Sequence, residues 1–557
     1  MKFTVFLALM LVVPAVSLND EGWIEIYAPA VAQSESGLFG VLSTMSVRVE
    51  KGRGRVFVDT FPLTEIDMQS SARMAANVAS SISNKNMNDY DFFVVVRSDA
   101  QIVGGTSAGG VLTVAMTAAL NGLSISEDVM MTGTINPDGS IGPVGGLPQK
   151  MEAAAGAGSK TFLIPYGQTD YTYYETTAKD LGPIVISSQN EKHVNLAERG
   201  EELGVIVREV SDIREAAREF TGVSFEVPPV EELKTENYIG LMAPQAENLA
   251  EEARKNYNIA LRVESSQLQD YKNASYKTLM NGYDLLARKS YYPAISSFFE
   301  SMIYSGYVLN YGRYLGEGAY ESLMKDLGED IESACKRIEM EVKLYDTMAI
   351  QCFGAAEERI YEAKKSFESA YSLLENGSIS DGLFELTYAL ERSHSAEWWL
   401  DVAGNLELRG TQMDEESTAS LALSAMDGAQ ESLIYAQMSA SQNTLPLIRA
   451  SEINLEMAGD AMSSGYTAGS IILASKAQAL SELALEIGIR DLEEILGNTR
   501  KNAREAVARA QSSGIEPFLA LAYLEYGDAY RDTDPFRAIQ NYKYAQAIGR
   551  MSGYMTQ

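Results

Sequence analysis

An α/β (α+β) domain followed by an all-α helical array is the fold class this sequence predicts, and three observations predict it. The run Phe92-Phe93-Val94-Val95-Val96 is β-branched and aromatic, as a buried strand is, and a glycine-rich turn leads from it into a small, apolar helix over 108–120. That character stops after Thr221, where Phe225-Glu226-Val227-Pro228-Pro229-Val230 reads as a linker. From about Glu236 onward Ala, Leu, Glu, Lys and Tyr dominate and prolines become sparse, a composition suited to helices.

In chain order, residues 1–17 read as a signal peptide or an N-terminal anchor. Lys2 precedes an apolar run over 3–16, and Ala15-Val16-Ser17 supplies the small residues of a cleavage site. The run is shorter than the ~20 residues a spanning helix needs. The body of the protein is therefore expected outside the cytoplasm, secreted or membrane-anchored, meeting a membrane only through an uncleaved N-terminal segment. Residues 18–224 form the α/β domain, 225–240 the linker and 241–557 a repeat-like helical domain. In that last domain a helix, a short break and an Ala-rich helix follow one another over 285–299, 373–390, 461–485 and 529–548. Their spacings do not keep the ~34-residue period of tetratricopeptide repeats. Trp398-Trp399 reads as core.

The chemistry lies in two stretches, Gly104-Gly105-Thr106-Ser107-Ala108-Gly109-Gly110 and Gly145-Gly146-Leu147-Pro148-Gln149-Lys150. A serine becomes a useful nucleophile only when a base takes its proton. Ser107 sits at the start of the 108–120 helix, where unpaired backbone N–H groups and the positive end of the helix dipole favour an oxyanion. The N–H groups of Thr106, Ser107, Ala108 and Gly109 are the candidate donors. Lys150 follows in a helix that has Pro148 at an early position and continues over 150–157. As a base it must be the neutral amine, with its pKa drawn from about 10.4 toward 7–8. Desolvation and a positive helix end both act in that direction. Ser107 and Lys150 therefore read as a catalytic Ser-Lys dyad.

These stretches resemble the proteolytic domain of the Lon family, most of all its archaeal branch. Met130-Met131-Thr132-Gly133-Thr134-Ile135 resembles that family's strand before the lysine, Asn136-Pro137-Asp138-Gly139-Ser140 then gives a hairpin turn, and Ile141-Gly142-Pro143-Val144 leads to Gly145-Gly146. Residues 150–158 and 160–165 match the family's helix and next strand, and 45–54, 55–60 and 68–79 its opening strands and first helix. The resemblance implies a Lon-type proteolytic fold over roughly 22–221, with Ser107 as nucleophile, Lys150 as general base and later general acid, and Thr132 orienting the lysine amine. It also implies a homo-oligomer of the hexameric-ring kind. Two positions depart from the family: Gly104 stands where an acidic residue is frequent, and Thr106 where many members have proline or another residue.

The remaining features bound the function. No G-x-x-x-x-G-K-[ST] loop is present, and Gly158-Ser159-Lys160-Thr161 lacks its spacing, so ATP-independent cleavage of unfolded or flexible protein and peptide substrates is expected. A net charge of −31 argues against nucleic acid as a partner. The two histidines, His193 and His394, read as lying in a surface loop and a distant helix, outside a catalytic setting. No metal or other cofactor is expected. On one continuous helix Cys335 and Cys352 would stand ~25 Å apart, so a bridge between them requires a helix reversal. The alternative function is a catalytically weak or inactive Lon-like assembly scaffold whose helical domain binds a partner; the departure at Gly104 keeps it open.

Overall fold

The computed structural model describes residues 22–552 except 35–36, 65–66, 104–105, 181–184, 226–231, 342–344, 407–409, 440–441 and 488–491. The proposed signal or anchor over 1–17 and the departure at Gly104 thus lie outside the described residues. The chain divides into two compact units, Met1–Val227 and Pro228–Gln557. The first mixes sheets and helices and the second, among the described residues, is helical but for one short strand pair, as the sequence predicts.

In the first unit β1 (Ile24–Ser34) pairs antiparallel with β2 (Gly37–Lys51). Strand β3 (Val56–Thr64) lies parallel to β4 (Tyr90–Val103), which pairs antiparallel with β2, so the sheet order is β1-β2-β4-β3. The side-chain period of two decides what is buried. Phe92, Val94 and Val96 of β4 face the core together with Met45 and Val47 of β2. Phe93 takes the opposite face and stacks on Phe57 at 5.0 Å between ring centroids. The 92–96 run is therefore buried on one face rather than both.

Helix α1 (Asp67–Ile82) turns Met68, Ala72, Ala75, Ala76 and Ala79 inward. Helix α2 (Gly109–Asn121) is apolar and small nearly all round, and it is buried nearly all round, as such a composition demands. A second, parallel sheet has the order β11-β8-β5, with β5 (Val129–Met131), β8 (Thr161–Pro165) and β11 (Ile206–Val210). The strand expected over 130–135 is split. After β5 the chain leaves the parallel sheet, and β6 (Thr134–Ile135) pairs instead with β7 (Ile141–Gly142) around the Asn136–Ser140 turn. Gly139 holds a positive φ of 90° there, and its N–H donates to Asn136 O at 2.9 Å. Helix α3 (Leu147–Gly156) follows.

Strands β9 (Asp170–Asp180) and β10 (Val185–Asn195) form an antiparallel hairpin. His193 is exposed as expected but sits on β10, not in a loop, with Nδ1 2.7 Å from Thr172 Oγ1. Helices α4 (Leu196–Leu203) and α5 (Ile213–Thr221) complete this unit.

The second unit begins with α6 (Glu236–Ala260), so the last residues assigned to the linker are helical. It continues through α7 (Gln269–Ala287), α8 (Tyr291–Glu317), α9 (Glu321–Glu341), α10 (Ile350–Glu375) and α11 (Ile379–Gly404). Then come α12 (Glu415–Ser439), α13 (Leu445–Ser463), α14 (Thr467–Glu486), α15 (Leu492–Ser512), α16 (Phe518–Tyr530) and α17 (Pro535–Ser552). Each of the four helix–break–helix segments is a helix junction, α7/α8, α10/α11, α13/α14 and α16/α17. Left-handed residues make three of the breaks: Lys289, Gly377 and Gly465. The core is aromatic, with Phe298, Tyr307, Phe518 and Tyr542 fully buried. A helix reversal does separate Cys335 on α9 from Cys352 on α10, yet both thiols are free and buried. Among the described residues no helix is long and apolar enough to cross a membrane.

Candidate active site

Ser107 lies in a single 3₁₀ turn, Thr106–Ala108, that runs straight into α2. It is half-buried. The turn is stitched to the segment following β5 by two backbone bonds. Gly133 N donates to Ser107 O at 3.1 Å, and Gly110 N donates to Gly133 O at 3.0 Å. This approach requires glycine: a Cβ on Gly110 would meet Met131 Cε at 2.8 Å and Gly133 O at 3.0 Å. Thr132 N meanwhile donates to Leu163 O at 3.1 Å, so Thr132 is fixed to the parallel sheet.

Lys150 comes from the first turns of α3. Gly146 sets the start of that helix with φ +68°, and its missing side chain leaves room for Val31, whose Cγ2 a Cβ would meet at 2.5 Å. Two side chains from beyond β8 hold the approach to the helix. Gln168 accepts from Val144 N and donates to Val144 O, both at 3.0 Å, and Tyr171 Oη accepts from Gly146 N at 3.0 Å. Sequence reasoning missed Gln168 and Tyr171. No motif marks them, because the residues they hold lie 24–25 positions away in the chain.

The side chains converge. Lys150 is 4% exposed and Thr132 1%. Lys150 Nζ donates to Thr132 Oγ1 at 3.2 Å, and Thr132 Oγ1 lies 3.5 Å from Ser107 O, the outer limit for its own donation. The threonine hydroxyl therefore stands between the lysine amine and the serine main chain. Among the described residues no hydrogen bond joins Ser107 Oγ directly to Lys150 Nζ, and no charged group acts on Lys150. The one carboxylate of α3, Glu152, pairs instead with Arg199 at 3.0 Å. Burial without a counter-charge pushes the Lys150 ammonium down from 10.5 to about 8. The amine is thus available as a base in mildly alkaline solution, beside a half-buried alcohol at a helix N-terminus.

The other predicted positions are placed as follows. Thr106 and Ser107 are half-buried and Ala108 and Gly109 buried, all at the entry to α2, whose first N–H groups lack helical acceptors. His394 lies on α11 in the second unit beside Glu391, whose carboxylate is the leading cause raising its pKa against the opposing effect of burial. Among the described residues no cluster of histidine, cysteine and carboxylates could hold a metal ion.

Residues 36–175 match the family model of the Lon protease (S16) C-terminal proteolytic domain, a span that contains Ser107, Thr132 and Lys150. The chain is 34% identical over 143 residues to the Lon protease of Syntrophomonas wolfei, covering 25% of this chain and 17% of that protein. It is 37% identical over 134 residues to Lon protease 1 of Myxococcus xanthus, covering 23% and 16%. It is 24% identical over 188 residues to the archaeal Lon protease of Archaeoglobus fulgidus, covering 34% and 30%. The matches thus span under a third of each relative's length. The helices of the second unit lie beyond residues 36–175, and through that span the N-terminal unit carries a Lon-type proteolytic domain, which supports a serine peptidase.

Proposed function

We propose that this protein is an ATP-independent serine endopeptidase that cleaves unfolded or flexible proteins outside the cytoplasm with a Ser107–Lys150 dyad. The observation that carries the reading is a buried, unpaired lysine amine, lowered to about 8, hydrogen-bonded to a threonine that also reaches the Ser107 main chain. Rotation of the Ser107 side chain toward Nζ would complete the dyad, and catalytic contacts of this kind tighten when substrate binds.

In the reaction, Ser107 Oγ bonds to the peptide carbonyl carbon as its proton passes to the neutral Lys150 Nζ. The oxyanion is held by backbone N–H groups of the turn from Thr106 to Gly109. The C–N bond then breaks, and the Lys150 ammonium gives its proton to the leaving amine. Water, deprotonated by Lys150, attacks the acyl ester, releases the carboxylic acid and returns the proton to Ser107 Oγ. Thr132 fixes the direction of the amine throughout. ATP independence is supported by a chain without a G-x-x-x-x-G-K-[ST] loop, and export by the apolar run over 3–16. Assembly into a homo-oligomeric ring is the arrangement to test first by sedimentation.

The decisive experiment compares wild type, Ser107→Ala and Lys150→Met on an unfolded casein substrate without nucleotide. Both variants are expected to lose at least a hundredfold in kcat/KM while keeping wild-type circular dichroism and sedimentation. Undiminished cleavage by either folded variant would remove the dyad, and no cleavage by wild type would favour the scaffold reading.

A further inference from the structure

Two stretches of the helical unit have the Asn-x-Ser pattern to which oligosaccharide is joined in exported proteins, Asn273-Ala274-Ser275 and Asn376-Gly377-Ser378. The pattern makes an acceptor only where a transferase can reach the asparagine amide and the serine hydroxyl together. The fold separates the two stretches on that point. Asn273 lies within α7, and its Oδ1 accepts from Gln269 Nε2 at 3.0 Å. Ser275 is fully buried, and its hydroxyl lies 3.0 Å from both Ser301 O and Ser301 Oγ, so it ties α7 to α8. Reaching this stretch would mean unwinding α7 and breaking that buried link.

Asn376 is the C-cap of α10, and Gly377 and Ser378 make the break before α11. Asn376 and Gly377 are exposed and Ser378 is half-buried. Gly377 takes a left-handed φ of +80°, and a Cβ built on it would meet no atom within 4 Å, so the turn faces open space. Neither the Asn376 side-chain amide nor the Ser378 hydroxyl makes a hydrogen bond among the described residues. The turn is nevertheless fixed. Gly377 N donates to Leu374 O at 3.0 Å and Ser378 N to Leu373 O at 2.9 Å. Leu374 is 2% exposed and packs beneath the turn against Gly382, where a Cβ would meet its Cγ at 2.5 Å. The amide and the hydroxyl two residues on are thus displayed on a braced helix junction, where an added sugar displaces no packed side chain.

We propose that Asn376 is the acceptor of an N-linked oligosaccharide and that Asn273 is not. The proposal rests on the export reading above, because an exported chain is the one that meets such a transferase. In the step, Asn376 Nδ2 bonds to the anomeric carbon of a sugar carried on a lipid phosphate. The bond from that carbon to the phosphate oxygen breaks, the lipid phosphate leaves with its electron pair, and one amide proton passes to a base of the transferase. The sugar then stands in water at the end of the α10–α11 pair.

The test uses the full-length chain in a host that N-glycosylates its exported proteins. It is produced once with its own residues 1–17 and once with a signal peptide which that host exports in their place. Location is read by protease access in intact cells, and sugar by mass spectrometry of peptides before and after glycosidase treatment. In exported protein most molecules are expected to carry sugar at Asn376 and few at Asn273. Asn376→Gln and Ser378→Ala are expected to lose that sugar and Ser378→Thr to keep it, while Asn273→Gln leaves the sugar mass unchanged. The chain with the exchanged leader decides the acceptor whatever the native leader does. A bare Asn376 in that exported, folded protein overturns the proposal, and so does sugar on Asn273 in as many molecules as on Asn376. A native-leader chain that stays inside the cell removes the export reading, and with it the modification of the native protein, while the exchanged leader still shows whether the turn is an acceptor.

Discussion

At the scale of single residues, Lys150 couples stability to chemistry. Its pKa is about 8 in the folded protein and 10.5 when unfolded, so between those pH values the unfolded chain binds more protons. Stability therefore rises with pH across that window, and below pH 8 the folded state bears the cost of a buried ammonium. That lowering corresponds to up to about 3 kcal/mol at neutral pH. Lys150→Met is expected to raise stability at pH 7 by up to that amount and to flatten the rise between pH 8 and 10.5. Urea denaturation at pH 7 and pH 10 checks this, and a variant less stable at pH 7 would refute it. The same protonation should govern rate: kcat/KM for a peptide substrate should climb with pH and level off above about 8. A flat profile across that range would mean that Lys150 is not the base. Thr132→Val, which removes the hydroxyl between amine and serine main chain, should lower kcat by about tenfold to a hundredfold with little change in KM. An equal rise in KM would instead mark a role in substrate binding.

Elements decide whether those residues can meet. The 3₁₀ turn of Ser107 and the Thr132–Gly133 segment are joined by main-chain bonds, and a Cβ on Gly110 would press on Gly133 O at 3.0 Å while one on Gly133 would meet the Ile141 side chain. At the other end, Gly146 starts α3 with a left-handed φ against Val31. Gly146→Ala should cost about 1–3 kcal/mol from backbone conformation alone, with the clash added, and should lower kcat by shifting Lys150. Thermal unfolding together with initial rates tests it; a variant with wild-type stability and rate would show that the turn does not position the lysine. Much of this level was legible: the Asn136–Ser140 turn, Pro148 early in α3 and the four helix junctions follow from turn and helix chemistry within a few residues. The split of the 130–135 strand was not legible. Its methionine, threonine and isoleucine side chains suit one continuous strand, and only pairing with Ile141 and Gly142 draws Thr134 and Ile135 away from β8.

Across the whole molecule, the two units obey different rules. The second is a helical core in which Cys335 and Cys352 sit on neighbouring helices as free thiols, and burial pushes the Cys335 thiol up to about 11. A reductant is therefore expected to leave the melting temperature unchanged, and native alkylation to be slow compared with alkylation in urea. A fall in melting temperature on reduction would reveal a bridge. Peptidase activity on unfolded casein should likewise be unaffected by ATP and Mg²⁺, measured as initial rates with and without nucleotide.

Local chemistry in the chain determined the α/β-then-helical order, the two glycine-rich turns and the identity of Ser107 and Lys150 as residues worth bringing together, because strand patterns, turn residues and helix starts act over a few positions, whereas Thr132 was marked only by the family resemblance. Only the folded chain decided that Lys150 is buried with no counter-charge, that Gln168 and Tyr171 brace its turn, and that Ser275 is buried while Asn376 is left exposed. Those properties depend on which distant segments exclude water from a side chain, and desolvation belongs to the packed molecule rather than to any stretch of sequence.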